Sequence, residues 1–446
     1  MNNALFDALQ QQLQSWFTKA KEVADSQDDL VELPEAMVTQ LAAQLEELSA
    51  PAPYQTAIQE AIAPRLQAWQ SQLDTPNYLV ILSSPVEPLH QILPESLARW
   101  ADRPELNIIT PLPCLSRATD PLQLSEQIQD QLAQSAPIQT QKTQPSDASD
   151  DLSAADVLAE RQTLVIIPCL EQCFLRCIGG WEGIERLRNL MIGNRDCFWV
   201  MGCNCWAWEF LDFASQIRAY FSDELTLPDL DSEMLQAWLD PVVRTVVDPQ
   251  IATEFADLEL IDLSHDPSDD DDEDEDEADE QKKQKRRQAY WSALASQSGG
   301  VGAIAAQLWL QSLRIQPAEI ADEDDPANSL ERVQTPDGES DDERAEQREE
   351  DAQLTLREIK PTLPHLPSLT HRDRYWLHSV LIHGPITAAH LALSLGESEG
   401  QNQSQVQRLV QAGLLVWQKD TLILHASHYA KLKSRLANDN FFVGKD

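Results

Sequence analysis

The sequence predicts an α/β fold: a mainly parallel five-stranded sheet with helices on both faces, forming a three-layer sandwich. Five short apolar runs are typical of buried strands, at residues 77–82, 106–110, 163–167, 197–202 and 258–263. Amphipathic stretches separate them, at residues 89–101, 122–132, 183–191 and 207–221. Strands that are apolar on both faces and alternate with helices are typical of parallel sheets, because the crossover helices cover both faces.

Composition divides the rest of the chain. The expected segments are a helical N-terminal extension (1–74), the α/β core (75–265) with a disordered insertion (135–154), a disordered acidic-then-basic loop (266–287), a helical segment (288–316), an acidic linker (317–369) and a C-terminal module (370–446). Runs of like charge are usually solvated, so we interpret the loop as a solvated face. The alternative is that its acidic residues mask its basic residues from DNA.

The net charge and the cysteine count disfavour several classes of protein. The 446 residues carry a formal charge of -41, which disfavours a broad surface for nucleic acid or anionic membrane. No apolar window is long enough to span a membrane and the first residues do not form a signal peptide, so we expect a cytoplasmic protein without membrane insertion. The seven cysteines are an odd number, which favours reduced thiols.

Polar residues follow three of the predicted strands: Ser83 and Ser84 the first, Glu171 the third and Asn204 the fourth. The segment at 163–212, TLVIIPCLEQCFLRCIGGWEGIERLRNLMIGNRDCFWVMGCNCWAWEFLD, resembles the AAA+ and STAND class of P-loop NTPases, and the resemblance covers roughly residues 55–315. It implies that Asn204 stands where that family places a γ-phosphate sensor. It also implies that residues 288–316 form a helical lid, with Arg314 as a candidate second sensor.

The loop after the first strand lacks what phosphate binding requires. A glycine-rich turn, a lysine and a hydroxyl normally hold the phosphates and Mg²⁺. Here the loop reads SSPVEPLHQIL, in which Pro85 and Pro88 remove backbone donors and Glu87 adds a negative charge. The resemblance also implies carboxylates at the end of the third strand. The only acidic residue there is Glu171, which lies three residues beyond the expected position. We therefore expect a degenerate nucleotide pocket, with no catalytic residue and no bound cofactor, whose remnants are Ser83, Ser84, Glu87, Glu171, Asn204 and Arg314.

Five cysteines lie close together in this core. Cys169, Cys173 and Cys177 are spaced by four, and Cys203 and Cys205 follow the fourth strand. Zinc sites usually use C-x2-C pairs or mixed Cys/His sets, and no histidine lies between positions 90 and 265. We interpret the cysteines as core thiols and expect no metal site.

Four tryptophans lie around the predicted carboxyl edge of the sheet: Trp181, Trp199, Trp206 and Trp208. Core packing is the simpler explanation. The alternative is that the pocket vacated by nucleotide has become an apolar surface on which a protein partner docks.

The C-terminal module has the pattern of a winged helix-turn-helix. Helices are expected at 373–381, 387–395 and 404–411, with Thr387 and Ser404 as N-caps, followed by a hairpin of strands 414–417 and 421–424. The arrangement is similar to that of MarR-type regulators. Candidate contacts to DNA or to a partner are Gln405, Gln407, Arg408, Gln411, Lys419, Lys431, Lys433 and Arg435. We expect the tail to return to the domain through Phe441 and Phe442.

The leading functional hypothesis is a non-hydrolysing pseudo-NTPase regulator or scaffold, which binds a protein partner through its core and its winged-helix module. One alternative is a MarR-like transcriptional regulator that binds DNA through residues 370–446. A second alternative is an ATP-binding protein with an unusual site.

Overall fold

The structure is a computed structural model that describes residues 31–33, 35–101, 106–111, 117, 123–135, 158, 161–246, 275–316, 355–397 and 399–445. The chain divides into two compact units. The first unit takes Met1–Leu48, Leu239–Leu294 and Leu308–Thr362, and the second takes Ser49–Trp238, Ala295–Gln307 and Leu363–Asp446.

Strands and helices are labelled in chain order. The strands are β1 (Val31–Glu32), β2 (Tyr78–Ser83), β3 (Asn107–Ile109), β4 (Thr163–Ile167), β5 (Cys197–Asn204), β6 (Glu224–Thr226), β7 (Leu313–Gln316), β8 (Thr355–Glu358), β9 (Leu415–Gln418) and β10 (Thr421–Leu424). The helices are α1 (Glu35–Glu47), α2 (Ala52–Ser71), α3 (Leu89–Ala98), α4 (Gln123–Ser135), α5 (Glu182–Gly193), α6 (Cys205–Ser215), α7 (Ser232–Val246), α8 (Glu275–Ser298), α9 (Gly302–Ser312), α10 (His371–His383), α11 (Ala388–Leu395), α12 (Glu399–Gln411) and α13 (Tyr429–Asn438).

The second unit is built on a five-stranded sheet with the order β3-β4-β5-β2-β6, and every pairing in it is parallel. All eight residues of β5 are buried, as are five of the six residues of β2. Central strands that are buried on both faces explain why the sequence shows continuous apolar runs rather than alternation. The predicted α/β fold class, with a parallel five-stranded sheet, is confirmed.

Four of the five predicted strands are in the sheet, and its fifth strand comes from a segment that was not predicted. The fifth strand is β6, a three-residue edge strand that pairs with β2. Its residues are only partly buried, and its sequence, Glu-Leu-Thr, lacks the apolar signal that marks the central strands. The run at 258–263, which we expected to form this strand, lies outside the described residues.

The charged segments contain more regular structure than their composition predicts. Helix α8 begins at Glu275, so residues 275–287 are helical rather than a disordered loop. This stretch is rich in Glu, Lys, Gln and Arg, which all have high helix propensity. Its first residues are acidic, as the dipole at a helix start favours. Strand β8 likewise lies within the expected acidic linker. The expected insertion, at residues 136–154, and residues 317–354 of the linker lie outside the described residues.

The first unit contains a small antiparallel sheet, β1-β7-β8, and a buried acid on its last strand. Glu358 is 2% exposed. Burial raises the pKa of its carboxyl to about 7, and nearby Asp240 raises it further, while a hydrogen bond from Trp309 and the charge of Arg287 act in the opposite direction. The Tyr290 and Ser312 hydroxyls form a neighbouring 2.5 Å hydrogen bond.

The C-terminal module has the expected order of three helices, a hairpin and a last helix. Thr387 is the N-cap of α11, as predicted, and its hydroxyl accepts a hydrogen bond from the His390 N–H. Ser404 is not an N-cap, because α12 begins five residues earlier, at Glu399. The start of α10 has a capping box that was not predicted, formed by Thr370 and the fully buried Asp373.

Within the described residues, no helix combines the length and the apolar character needed to cross a membrane.

Replacing Glu358 by glutamine should remove a pH dependence of stability. Because the folded-state pKa is raised above the ordinary value of 4.5, its stabilising contribution is complete below about pH 4.5 and is lost as pH rises through about 7. At pH 8 the free energy of unfolding of Glu358→Gln, measured by urea denaturation, should therefore exceed that of the wild type by about 2 kcal/mol. At pH 5 the two should differ little. Glu233→Gln, at an exposed position of α7, controls for the loss of one charge. Parallel pH profiles for the wild type and Glu358→Gln would contradict this assignment.

Candidate functional site

The candidate site is the carboxyl edge of the parallel sheet, where ligands of open α/β proteins usually bind. Ser83 ends β2 and pairs in register with Asn204, which ends β5. Glu171 follows β4 in a short 3-10 helix, Leu170–Cys173, and its Oε2 accepts a hydrogen bond of 3.2 Å from the Asn204 N–H. The structure thus brings together three of the residues that the sequence places in the degenerate pocket.

Asn204 is committed to contacts within the protein. Its Oδ1 accepts a hydrogen bond of 2.8 Å from the Ala207 N–H, which makes it the N-cap of α6. Its Nδ2 donates to the Ile382 carbonyl oxygen at 3.4 Å. Both polar atoms of the side chain therefore have partners in the chain itself at the position where the resemblance implies a phosphate sensor.

Glu171 is buried in an environment that disfavours its ionised form. Burial raises the pKa of its carboxyl, and hydrogen bonds, including that from Asn204, together with the charge of Arg117, act against this shift. The thiol of Cys203 lies beside it, and burial, followed by the Glu171 charge, raises the pKa of that thiol well above its usual value. A buried thiol with a raised pKa is a poor nucleophile.

Glu87 also makes contacts inside the protein. Its Oε1 accepts hydrogen bonds from the Tyr54 hydroxyl at 2.9 Å and from the Ala303 N–H at 3.2 Å. Burial raises the pKa of Glu87, and these hydrogen bonds lower it. The nearby Ser84 hydroxyl is buried and has no hydrogen-bond partner among the described residues. The carboxylate that the sequence places in the loop after β2 therefore lies at the start of helix α9.

The last residues of α10 and the turn after it, residues Ile382 to Pro385, cover this carboxyl edge. Arg117 donates to the carbonyl oxygens of Glu171 and His383, each at 2.9 Å. Gln172 Nε2 donates to the Pro385 carbonyl oxygen at 3.0 Å. Together with the bond from Asn204 to Ile382, these contacts fasten the C-terminal module to the ends of β4 and β5.

Gly384 allows this turn to approach the edge closely. Its φ of 64° and ψ of -145° are a conformation that is nearly restricted to glycine. A Cβ at this position would lie 3.3 Å from Cγ of Glu171 and 3.9 Å from Nδ2 of Asn204. The turn therefore needs glycine both for its backbone conformation and for space.

Two histidines of α10 are buried at the same contact. His383 packs on Phe174, with ring centroids 5.1 Å apart, and its Nε2 lies 3.4 Å from the Arg176 N–H, which donates to it. Burial lowers the pKa of His383 well below its usual value, and the charge of Arg117 lowers it further. Burial also lowers the pKa of His378 to about 4. The module therefore meets the core through neutral rings.

The four tryptophans are mainly core residues. Trp199 and Trp208 are fully buried, and their indole N–H groups donate to the Asn194 carbonyl oxygen and to Glu224. Trp181 is partly exposed and stacks on Phe174 with ring centroids 5.3 Å apart.

Trp206 is the tryptophan that the C-terminal module covers. Its indole N–H donates to the Tyr429 hydroxyl at 2.8 Å. A docking surface at Trp206 is thus already occupied by the chain's own C-terminal module.

The tail packs back on the domain, as expected. Gly444 lies on Trp206, close enough that a Cβ would be 2.6 Å from Cδ1 of the indole. The ring of Phe441 packs on Tyr375 at 4.9 Å between centroids, and the Phe442 carbonyl oxygen accepts a hydrogen bond of 2.7 Å from His378 Nε2.

Of the four candidate contacts on α12, one is buried and three are exposed, and two of the four bind the same buried carboxylate. Gln405 is 7% exposed and hydrogen-bonds to the buried carboxylate of Asp373, and Arg408 forms an ion pair with the same carboxylate. Gln407 and Gln411 are exposed.

The other candidate cations of the module lie on the hairpin and on α13. Lys419 is exposed at the hairpin tip, and Lys433 is partly exposed. Lys431 donates to the Leu363 carbonyl oxygen at 3.0 Å, and Arg435 pairs with Asp439 at 2.9 Å.

Arg314, the remaining candidate, belongs to strand β7 of the first unit. Its guanidinium donates to the carbonyl oxygens of Gln311 and Leu313 at 2.8 and 2.7 Å.

No disulfide joins any two of the core cysteines Cys169, Cys173, Cys177, Cys203 and Cys205 in the described part of the chain. Among the described residues, no group of three or more His, Cys, Asp or Glu side chains could hold a metal ion.

Several residues of the site carry no signal in the sequence. Arg117 lies in a segment without helical or strand periodicity, and Tyr54 lies in a helix more than thirty residues before its partner Glu87. Asp373 could have been noticed, since it follows Thr370 at the capping-box spacing. Only the tertiary contacts reveal the roles of Arg117 and Tyr54.

Comparison with known proteins finds no matching family model and no matching curated protein. Among solved structures, the chain is similar to the RuvB Holliday junction branch migration motor of Thermotoga maritima, at 15% identity over 84% of this chain and 93% of that chain, with a TM-score of 0.26. It is similar to the ORC2 protein of Aeropyrum pernix at 12% identity, over 85% and 93% of the two chains, with a TM-score of 0.34. It is also similar to the Walker-type ATPase PABY2304 of Pyrococcus abyssi at 12% identity, over 84% and 94%, with a TM-score of 0.29. These values assign no family.

Replacing Gly384 by alanine should weaken the contact between the turn after α10 and the carboxyl edge of the sheet. The matched control is the replacement of Gly396 by alanine, which should cost less stability. Gly396 also has a positive φ, 67°, but a Cβ there would meet no atom within 4 Å. We expect Gly384→Ala to lower the free energy of unfolding by about 2 kcal/mol. Gly396→Ala should lower it by about 1 kcal/mol.

Urea denaturation followed by tryptophan fluorescence measures both losses. Labelling of the buried thiols under native conditions should also be faster in Gly384→Ala than in Gly396→Ala. Equal stability losses and equal labelling rates would contradict the close approach.

Proposed function

We propose that the chain is a non-hydrolysing, NTPase-like regulator or scaffold whose C-terminal winged-helix module occupies the carboxyl edge of the core. The observation that carries the proposal is that the groups expected to contact nucleotide are bound to other parts of the same chain. Asn204 and Glu171 are in contact with the turn after α10, and Glu87 caps α9. A regulatory or scaffolding role needs binding surfaces but no turnover.

The acidic side chains at this edge oppose the binding of a nucleotide. A triphosphate at this edge would meet the carboxylates of Glu87 and Glu171, and the loop after β2 offers no lysine to offset their charge. Phosphoryl transfer depends on neutralising the charge on the phosphates, which Mg²⁺ and cationic side chains normally do. The polar atoms of Asn204 that could position water or a phosphate are already hydrogen-bonded.

A protein partner is the occupant that the remaining surface favours. Some large apolar side chains are exposed: Phe213 on α6 is 81% exposed, Leu393 on α11 is 56% exposed and Trp417 on the hairpin is 46% exposed. Exposed apolar groups of this size are typical of interaction surfaces when they form a patch. The rings of Phe213 and Phe442 lie next to each other on the surface, with ring centroids 6.4 Å apart.

The geometry of α12 favours protein contact over the alternative of DNA recognition. A recognition helix presents polar side chains to base edges from one exposed face. In this module Gln405 is buried against the carboxylate of Asp373, and Arg408, although its side chain is 47% exposed, pairs with the same carboxylate, so two of the four candidate residues on the helix have partners within the chain. The net charge of -41 opposes an approach to phosphates by the rest of the chain.

Nucleotide should neither bind nor be hydrolysed. A site with a Kd of about 10 µM would stabilise the protein by about 2.7 kcal/mol in 1 mM Mg-ATP, which is readily seen in a thermal melt. We expect no shift in Tm and no phosphate release above a protein-free blank. Magnesium sulfate at the same ionic strength serves as the control. A saturable, Mg²⁺-dependent shift in Tm would contradict the proposal and revive the ATP-binding alternative.

Duplex DNA should not be retained by the full chain at about 0.15 M salt, because the candidate recognition helix is partly engaged with Asp373. Fluorescence anisotropy of a labelled duplex measures this directly. Lys419→Glu, at the exposed hairpin tip, is the matched variant. If the wild type bound DNA with steep salt dependence and Lys419→Glu did not, the transcriptional-regulator alternative would replace the scaffold.

A further inference from the structure

The carboxylate of Glu87 lies at the N-terminus of helix α9, an eleven-residue helix. The Ala303 N–H donates to Oε1 at 3.2 Å. The Gly302 N–H donates to the Tyr54 hydroxyl at 3.1 Å, and this hydroxyl donates to the same Oε1 at 2.9 Å. The Tyr54 hydroxyl and the Ala303 N–H therefore donate directly to the carboxylate. The Gly302 N–H is linked to it through the Tyr54 hydroxyl.

Several features of the chain shape this arrangement. Tyr54 is 2% exposed on α2, so its hydroxyl is held in place by packing. The Glu87 N–H donates to the Ser84 carbonyl oxygen at 3.0 Å, which closes a tight turn directly after β2. A Cβ on Gly302 would lie 3.4 Å from Oε1 and 3.3 Å from Leu230, so glycine leaves room for the carboxylate. The structure thus has a built cradle rather than a chance surface contact.

A second observation marks the same turn as a place for a polar ligand. Ser84 is only 6% exposed, and among the described residues its hydroxyl has no hydrogen-bond partner. Buried hydroxyls are usually hydrogen-bonded, and those without a partner call for an explanation. The turn that carries Glu87 therefore also holds a buried donor that has no partner among the described residues.

The physical basis is the unpaired N–H groups and the dipole of a helix start, which together favour a negative charge there. In many proteins a phosphate supplies that charge. Here the chain supplies it. Burial raises the pKa of Glu87, and the hydrogen bonds from Tyr54 and from the Gly302 and Ala303 N–H groups offset part of this rise by stabilising the ionised form.

We propose that Glu87 is an internal ligand of an oxyanion site formed by Tyr54, Gly302 and Ala303, and that truncating its side chain leaves a site that takes a small carboxylate or phosphate ion. The anion fastens the segment Ala295–Gln307 to the loop after β2. The inference deepens the proposed function, on which it rests: the chain carries its own anion at this site, so no nucleotide phosphate is required there.

The test is chemical rescue of Glu87→Ala in the full-length chain. This variant keeps the three donors and removes the carboxylate, so its Tm should fall by roughly 5 °C in chloride buffer. Sodium formate, the smallest carboxylate, should restore at least half of that loss along a saturable curve, whereas sodium chloride at the same ionic strength should not. Inorganic phosphate is titrated in parallel to test the second class of oxyanion.

Glu95 provides a matched control. Its Oε2 accepts a backbone N–H, from Ala50 at 3.0 Å, and its Oε1 pairs at 3.0 Å with Arg99, whose side chain is 53% exposed. Glu95→Ala should lose stability without saturable rescue, because one backbone donor and an exposed, solvated guanidinium do not form a buried site. Rescue of Glu95→Ala equal to that of Glu87→Ala, or the absence of rescue in Glu87→Ala, would overturn the inference.

Glu87→Gln keeps the inference testable if Glu87→Ala does not fold. The amide fills the same volume without charge, so formate should have no effect on it, and amide hydrogen exchange at Gly302 and Ala303 should become at least about tenfold faster than in the wild type. Unchanged exchange would overturn the inference. The wild type is titrated with Mg-ATP in the same series: binding there refutes the proposed function, whereas failed rescue refutes only the internal ligand.

Discussion

The constraint on which the structure depends is that the carboxyl edge of a parallel sheet exposes strand ends and helix starts whose polar groups need partners. In this chain the partners come from the chain itself. Arg117 links the Glu171 and His383 carbonyl oxygens, and Asn204 reaches the Ile382 carbonyl oxygen. Because these bonds join residues far apart in sequence, the edge and the turn after α10 form one structural unit.

Burial at this contact disfavours charge on the titratable groups. It raises the pKa of Glu171 and lowers the pKa values of His378 and His383, which shifts each group toward its uncharged form. Arg117 is a cation at the contact, and backbone carbonyl oxygens accept its hydrogen bonds. These bonds offset part of the cost of burying its charge. The contact therefore holds the module in place through groups of the chain itself.

Much of the fold and part of the site could be predicted from residue patterns. Runs such as 163–167 and 197–202 predicted central strands, because burial on both faces demands apolar residues without alternation. Thr387 was identified as an N-cap from its position before an apolar helix. Strand β6 was missed, since an edge strand of three residues needs little apolar character. The helix from Glu275 was missed because its charge obscured its propensity.

The sequence by itself determined that the loop after β2 has no glycine and no lysine, the residues that normally hold phosphates after such a strand. This observation needs only the composition of a short segment. Tertiary structure alone decided what the acid of this loop contacts: Glu87 meets Tyr54 and Ala303, which lie 33 and 216 residues away. Composition and periodicity report on local conformation and burial, whereas the pairing of distant polar groups is set by how the elements pack.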